Sequence, residues 1–197
     1  MMSGPESISL AVEVPKVRDR SDVSSRKAAT LTAMEKLPAD RFETAHAHNT
    51  VTLPSPAMRK AMHDAEVGDD VYADDPSVNR LQEMAADLTG TEAALFVSSG
   101  SMGNLIPVYL NCGRGNELLI DSRGHIVQHE LASSTAIAGA LPVQIPTEKG
   151  LLDVSLLETR IQPDIYYCQK TRMIALENTH NAAGGTFYPL ATLRDIA

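Results

Sequence analysis

From Val78 onward the chain alternates apolar and polar positions with two periods. Val78, Leu81, Ala85 and Leu88 recur at helical spacing, with Ser77 as a candidate N-cap and Gly90 as a stop. A Pro-led run from Pro56 to Val67 also carries helix formers. Short apolar runs at 93–97, Glu117–Ile120, Pro142–Ile145 and Met173–Leu176 read as strands. Helical patterns fall between them, from about 101 through Leu110, from Ile126 to Ile137 and from Asp153 to Ile161. Strands regularly separated by helices predict an α/β domain with a mostly parallel sheet flanked by helices, and with ligands outside the carboxyl ends of the strands. Pro189 opens one more helical pattern that runs to Ala197 without a C-cap, so the chain is expected to stop inside an element.

Before residue 50 the pattern fades. Residues 1–49 are polar, mixed in charge and weakly periodic apart from a short helical stretch at Ala28–Leu37, and they read as an irregular extension or insertion ahead of a domain spanning 50–197.

Composition narrows the function classes. The 197 residues are 43% hydrophobic, enough for a domain that buries roughly 70% of its unfolded surface. Net charge is −8 and the 17 Lys and Arg residues form no basic block, which argues against nucleic acid or an anionic membrane as partner. No apolar run reaches the length of a membrane span, and the N-terminus lacks the layout of a signal peptide. Cys112 and Cys168 show no disulfide or metal spacing, so a reducing, cytoplasmic location is expected.

The strongest chemical signal is Ser98-Ser99-Gly100-Ser101-Met102-Gly103-Asn104. A β-prone run entering a helix through small and hydroxyl residues aims backbone N–H groups and a helix dipole at one point, which makes an anion site, most often for phosphate. An ordinary turn with Ser as N-cap is the plainer alternative. His125 and His129 stand four apart with Glu130 beside them, but no third ligand has a telling spacing, so no metal is expected.

The segments Gly68-Asp69-Asp70-Val71-Tyr72-Ala73-Asp74-Asp75-Pro76-Ser77-Val78-Asn79-Arg80-Leu81, Ser99-Gly100-Ser101-Met102-Gly103-Asn104, His125-Ile126 with Glu130, and Leu176-Glu177-Asn178-Thr179-His180-Asn181 with Gly184-Gly185 resemble the threonine aldolases, in order and with similar spacing. These are pyridoxal-phosphate lyases that split threonine or allo-threonine into glycine and acetaldehyde. The likeness runs from about Thr50 to Ala197 and corresponds to the front half of a family member. It implies the large domain of a fold type I pyridoxal-phosphate enzyme, truncated at its C-terminus. It also implies a homo-oligomer in complete form, with a small β-hydroxy amino acid as substrate.

Residue by residue, the resemblance implies that Ser99, Gly100 and Ser101 hold the cofactor phosphate, with Ser101 where the family usually has Thr. His125 matches the histidine that stacks on the cofactor ring and handles the substrate hydroxyl proton, a task that suits an imidazole. His180 matches a second active-site histidine. Tyr72 matches a substrate-pocket wall at a dimer interface, with a packed core tyrosine as the plainer alternative.

Two departures follow from the same resemblance. The covalent lysine and the aspartate that partners the pyridine nitrogen lie beyond the matched part, and Lys16, Lys27, Lys36, Lys60, Lys149 and Lys170 have no matching context. A non-catalytic truncated subunit or incomplete product is therefore one alternative, and a related β-eliminating lyase another. At the front, the family's Arg-Ser-Asp runs straight into Thr-Val-Thr, whereas here His48-Asn49 precedes Thr50 and Arg20-Ser21-Asp22 stands upstream. Residues 23–49 are expected to interrupt one motif, as an unspliced segment or an insertion would, which puts Asn49 at the candidate substrate pocket.

Overall fold

The computed structural model describes residues 9–13 and 53–197. The helical stretch expected at 28–37, the interruption at 23–49 and Asn49 lie outside the described residues. The chain divides into two compact units, one holding described residues 53–97 and the other holding 9–13 and 98–197.

In residues 53–97, helix α1 (Pro56–Asp64) starts at Ser55, whose hydroxyl accepts the Met58 N–H, with Pro56 at the first helical position. Helix α2 (Pro76–Thr89) is capped by Asp75 and not, as the spacing predicts, by Ser77. Pro76 fixes the first helical φ, which puts the cap one residue before it, and the Asp75 carboxylate takes the Val78 N–H at 2.9 Å. The same carboxylate accepts the Gly68 N–H at 3.0 Å, closing the Gly68–Asp75 loop on itself. These N–H groups hold the Asp75 carboxyl below its usual range. Gly68 is required there, because a Cβ would lie 2.3 Å from the Asp74 carbonyl oxygen. Gly90 ends α2 in the left-handed conformation, donating to the Ala86 carbonyl.

Residues 93–97, expected as a strand, form no regular element, and Leu95 and Phe96 are exposed. Their β-propensity finds no partner strand among the described residues, and a lone strand gains too little to persist. The Phe96 N–H instead donates to Gln82 Oε1 at 2.8 Å.

The second unit is built on a sheet of β1 (Ser9–Glu13), β2 (Glu117–Asp121), β3 (Leu141–Ile145) and β4 (Thr171–Glu177), in the order β1-β4-β2-β3. Strands β4, β2 and β3 are parallel, as the α/β alternation requires. Strand β1 pairs antiparallel to β4, Ser9 opposite Glu177 and Glu13 opposite Met173, which corrects the irregular reading of this part of the extension. Ile8, Leu10, Val12 and Val14 alternate with the period of a strand, a short signal inside an otherwise polar extension.

Helix α3 (Gly100–Pro107) runs into a π turn at Val108–Cys112 in place of the continuous helix expected. The helix expected at Ile126–Ile137 is two single turns, α4 (His125–Gln128) and α5 (Ser133–Ala136), parted by Leu131 and Ala132 at φ 55° and 57°. That break lets Glu130 and Ser134 both turn inward and be buried. Helices α6 (Val154–Glu158) and α7 (Leu190–Ile196) complete the unit.

The core forms where β2 and β4 meet the π turn and α4: Val108, Cys112, Leu118, Ile120, Ile126, Met173 and Ala175 pack together. Each large apolar side chain removed from water here contributes about 1.5–3 kcal/mol. Burial also pushes the Cys112 thiol up to about 11, so it stays protonated near neutral pH. Among the described residues no helix is long and apolar enough to cross a membrane.

Candidate active site at the carboxyl ends of two parallel strands

Strands β2 and β4 each run as apolar residues into a terminal acid, Asp121 and Glu177, and both acids are buried. A buried carboxylate needs donors, and the segments that follow supply them. Glu177 Oε2 accepts the His125 N–H at 2.7 Å and Glu177 Oε1 accepts the Asn181 N–H at 2.8 Å. One carboxylate thus ties together the backbones that carry His125 and His180. Asp121 Oδ1 accepts the Arg123 N–H at 2.9 Å, and Oδ2 accepts the Thr147 hydroxyl at 2.7 Å.

His180 Nε2 lies 3.1 Å from Asp121 Oδ1. An ionised carboxylate only accepts, so Nε2 carries the proton and Nδ1 is left as a buried acceptor with no partner among the described residues. No surface of His180 is open, at 0% exposure. Gly150, at φ +74°, lies against the ring so closely that a Cβ would meet it at 2.2 Å. The Tyr188 hydroxyl holds that loop by accepting the Leu152 N–H at 2.8 Å and donating to the Gly150 carbonyl at 3.3 Å. Burial pushes the Tyr188 hydroxyl up to about 12. His180 therefore stands behind the strand ends in this structure, where it offers no atom for direct contact with a ligand.

His125 is differently placed. It opens α4 just past β2, and its Nδ1 lies 2.8 Å from Glu130 Oε1. By the same donor argument Nδ1 is protonated and Nε2 is the ring's acceptor. Asn104 Nδ2 donates to the same Glu130 oxygen at 2.7 Å. Asn104 stands on α3, one turn after the hydroxyl-rich start. The exposed His129 ring lies 5.3 Å from the His125 ring, and no group of three candidate metal ligands occurs among the described residues.

At the start of α3 the sequence expectation and the structure coincide in the turn itself, although the strand before it is absent. Ser99 is extended and its hydroxyl caps the helix by accepting the Met102 N–H at 3.2 Å. Ser101, half-buried, makes no hydrogen bond through its N–H or hydroxyl among the described residues. An eight-residue helix with an open donor pair in its first turn is chemically fitted to an anion. The structure thus brings Ser99, Gly100, Ser101 and His125 into one unit, linked through Asn104 and Glu130. Tyr72, 75% exposed, lies in the other unit.

Sequence reasoning assigned no role to Asp121, Glu177 and Asn104. For Asp121 and Glu177 a signal is present in hindsight, an apolar strand end closed by an acid just before a histidine segment, whereas Asn104 on α3 has none.

The sequence profile of the β-eliminating lyase family matches residues 48–197. Residues of this chain are 39% identical over 148 positions to a low specificity L-threonine aldolase of Escherichia coli O157:H7, covering 75% of this chain and 44% of that protein. Low-specificity L-threonine aldolase 1 of Arabidopsis thaliana is 44% identical over 142 residues, covering 70% of this chain and 39% of the plant protein. An alanine racemase, TOXG, of Cochliobolus carbonum is 31% identical over 151 residues, covering 75% and 38%. The chain spans less than half the length of these curated relatives.

Proposed function

Since the chain belongs to the β-eliminating lyase family, on its threonine aldolase side, we propose that it forms the phosphate-binding and proton-handling part of a pyridoxal-phosphate enzyme that cleaves threonine or allo-threonine to glycine and acetaldehyde. The observation that carries this reading is the link from the helix start that holds Ser101, through Asn104 and Glu130, to the imidazole of His125.

The residues present fit the cofactor. Ser101 N–H and hydroxyl, with the α3 dipole behind them, would hold the phosphate, and His125 would face the ring. Bound pyridoxal phosphate supplies an electron sink for the Cα–Cβ bond that breaks. His125 Nε2, the acceptor side of the ring, would take the proton of the substrate β-hydroxyl as acetaldehyde leaves, a proton that balances the one glycine gains at Cα. His180 is left out of the proton transfer because its ring is closed off, and its bond to Asp121 supports the strand ends instead.

The lysines among the described residues are Lys60, Lys149 and Lys170. Lys170 pairs with Asp164 at the amino end of β4, away from His125. A second reading is a subunit that binds the cofactor phosphate beside a lysine-bearing partner chain. In the first reading the complete enzyme is a cytoplasmic homo-oligomer. The same scaffold also hosts other chemistries, as the racemase relative's name illustrates.

The test is product analysis with added pyridoxal phosphate, using the chain alone and mixed with a full-length homologue. Glycine and acetaldehyde formed in equal amounts by the chain alone support the aldolase reading, and formation in the mixture beyond what the homologue gives by itself supports the subunit reading. Pyruvate and ammonia from a β-substituted amino acid, with none of those two products from either threonine isomer, would replace it with β-elimination.

A further inference from the structure

Glu130 is a carboxylate with 4% exposure beside the imidazole of His125. Burying an ion in this way costs several kcal/mol unless its donors repay it. Its donors are specific. Oε1 takes both the His125 Nδ1–H at 2.8 Å and the Asn104 Nδ2–H at 2.7 Å, while Oε2 is buried with no partner among the described residues. Glu177, by contrast, takes the His125 and Asn181 N–H groups on separate oxygens. Glu130 concentrates its donors on the oxygen that faces the ring.

The backbone at this point is also unusual. Directly after Glu130 the chain passes through two non-glycine residues at positive φ, Leu131 at 55° and Ala132 at 57°. Each such residue costs about 1–2 kcal/mol. Leu131 itself is 97% exposed, so it gains nothing from packing that would offset the cost. What the turn does achieve is to aim Glu130 inward.

We propose that Glu130 is the positioning residue of His125: it holds the imidazole in the Nδ1-protonated form with Nε2 free to accept the substrate proton, and Asn104 locks that carboxylate to α3, so that phosphate cradle and proton acceptor are set by one side-chain chain. This rests on the reading of His125 as the proton-handling residue. It assigns no contact between Glu130 and substrate or cofactor.

The experiment is nitrogen-15 NMR of the full chain labelled at histidine, without cofactor, with the His125 signals identified by their loss in H125N. The wild type is expected to show His125 as the Nδ1–H tautomer. In E130A the ratio of Nδ1–H to Nε2–H falls about tenfold or more, as expected for losing a charge-assisted hydrogen bond. Circular dichroism confirms that the variant is folded, and the bulkier apolar E130L serves in its place if E130A is not. A carboxylate that merely fills space would leave this ratio unmoved. A wild-type His125 in the Nε2–H form, or a folded Glu130 variant with the wild-type ratio, overturns the proposal. Adding pyridoxal phosphate separates the two claims: failure of the wild type to bind it removes the functional reading, whereas the tautomer result stands or falls without it.

Discussion

Residues 53–97 and 98–197 carry equally regular sequence patterns, yet only the second set buries them. In the first, α1 and α2 contain no buried residue, and Met58, Met62, Leu81, Met84 and Leu88 are all exposed. In the second, Val108, Leu118, Leu119 and Met173 are at 0%. Caps and breakers define the helices of the first unit, whereas apolar contact defines the elements of the second. Helix periodicity therefore reports where an apolar stripe lies, not whether anything covers it.

The contrast can be broken most sharply by truncating one leucine in each unit. L118A should destabilise the second unit by about 2–5 kcal/mol, whereas L88A should change stability by no more than about 0.5 kcal/mol. Paired denaturant titrations followed by hydrogen exchange check this, and equal losses would mean that the α2 stripe is packed in solution. Next in size is G150A, which forces a Cβ into the His180 ring at a positive-φ position and should cost about 2–4 kcal/mol. Its melting temperature should fall well below that of an exposed control, G115A, which shares the positive φ but meets no atom within 4 Å.

A pH scan sharpens the comparison from another side. Tyr188 is held up at about 12, so the folded second unit keeps that proton at pH values where the unfolded chain loses it. Stability from this group is complete below its ordinary value near 10 and declines as pH rises toward 12, by up to about 1.4 kcal/mol per pH unit. Y188F should flatten that alkaline limb. Asp75 behaves in the opposite sense: its carboxyl is lowered, so its contribution is present above the ordinary carboxylate range and is lost as pH falls through the lowered value. Acid should therefore loosen the α2 cap first, and D75N should remove that acid dependence in α2 amide exchange. The smallest effect is kinetic: a thiol reagent should modify Cys168 in the folded chain well before Cys112, which is 1% exposed with its thiol raised to about 11.

Much of the second unit was legible in the sequence because its signals are local. The parallel strands at Glu117, Leu141 and Thr171 follow from short apolar runs, and the capped turn at Ser99 follows from its hydroxyl-rich start. Where tertiary demands override local ones, the reading failed. The 126–137 pattern is helical throughout, yet burying Glu130 toward His125 breaks it at Leu131 and Ala132. Ala93–Val97 has the composition of a strand but no neighbouring strand among the described residues to pair with. Ser9–Glu13 shows the reverse, a short alternation of Ile8, Leu10, Val12 and Val14 that stands inside a polar extension and pairs with β4. At the candidate site, His125 and Ser99–Ser101 were singled out by motif resemblance, and the structure links their segments through Asn104 and Glu130. Asp121, Glu177 and Asn104 were not, because their roles arise from burial and from partners tens of residues away.

The central claim is that Ser99–Ser101 and His125 hold pyridoxal phosphate, and equilibrium binding of that compound to the full chain, read by phosphorus-31 NMR, tests it most directly. The account predicts a shifted phosphorus signal for the wild type, an affinity about tenfold or more weaker for S101A, and no comparable loss for S155A, whose hydroxyl bonds Asp153 on α6. Binding that is absent, or equally strong in S101A and wild type, would contradict it.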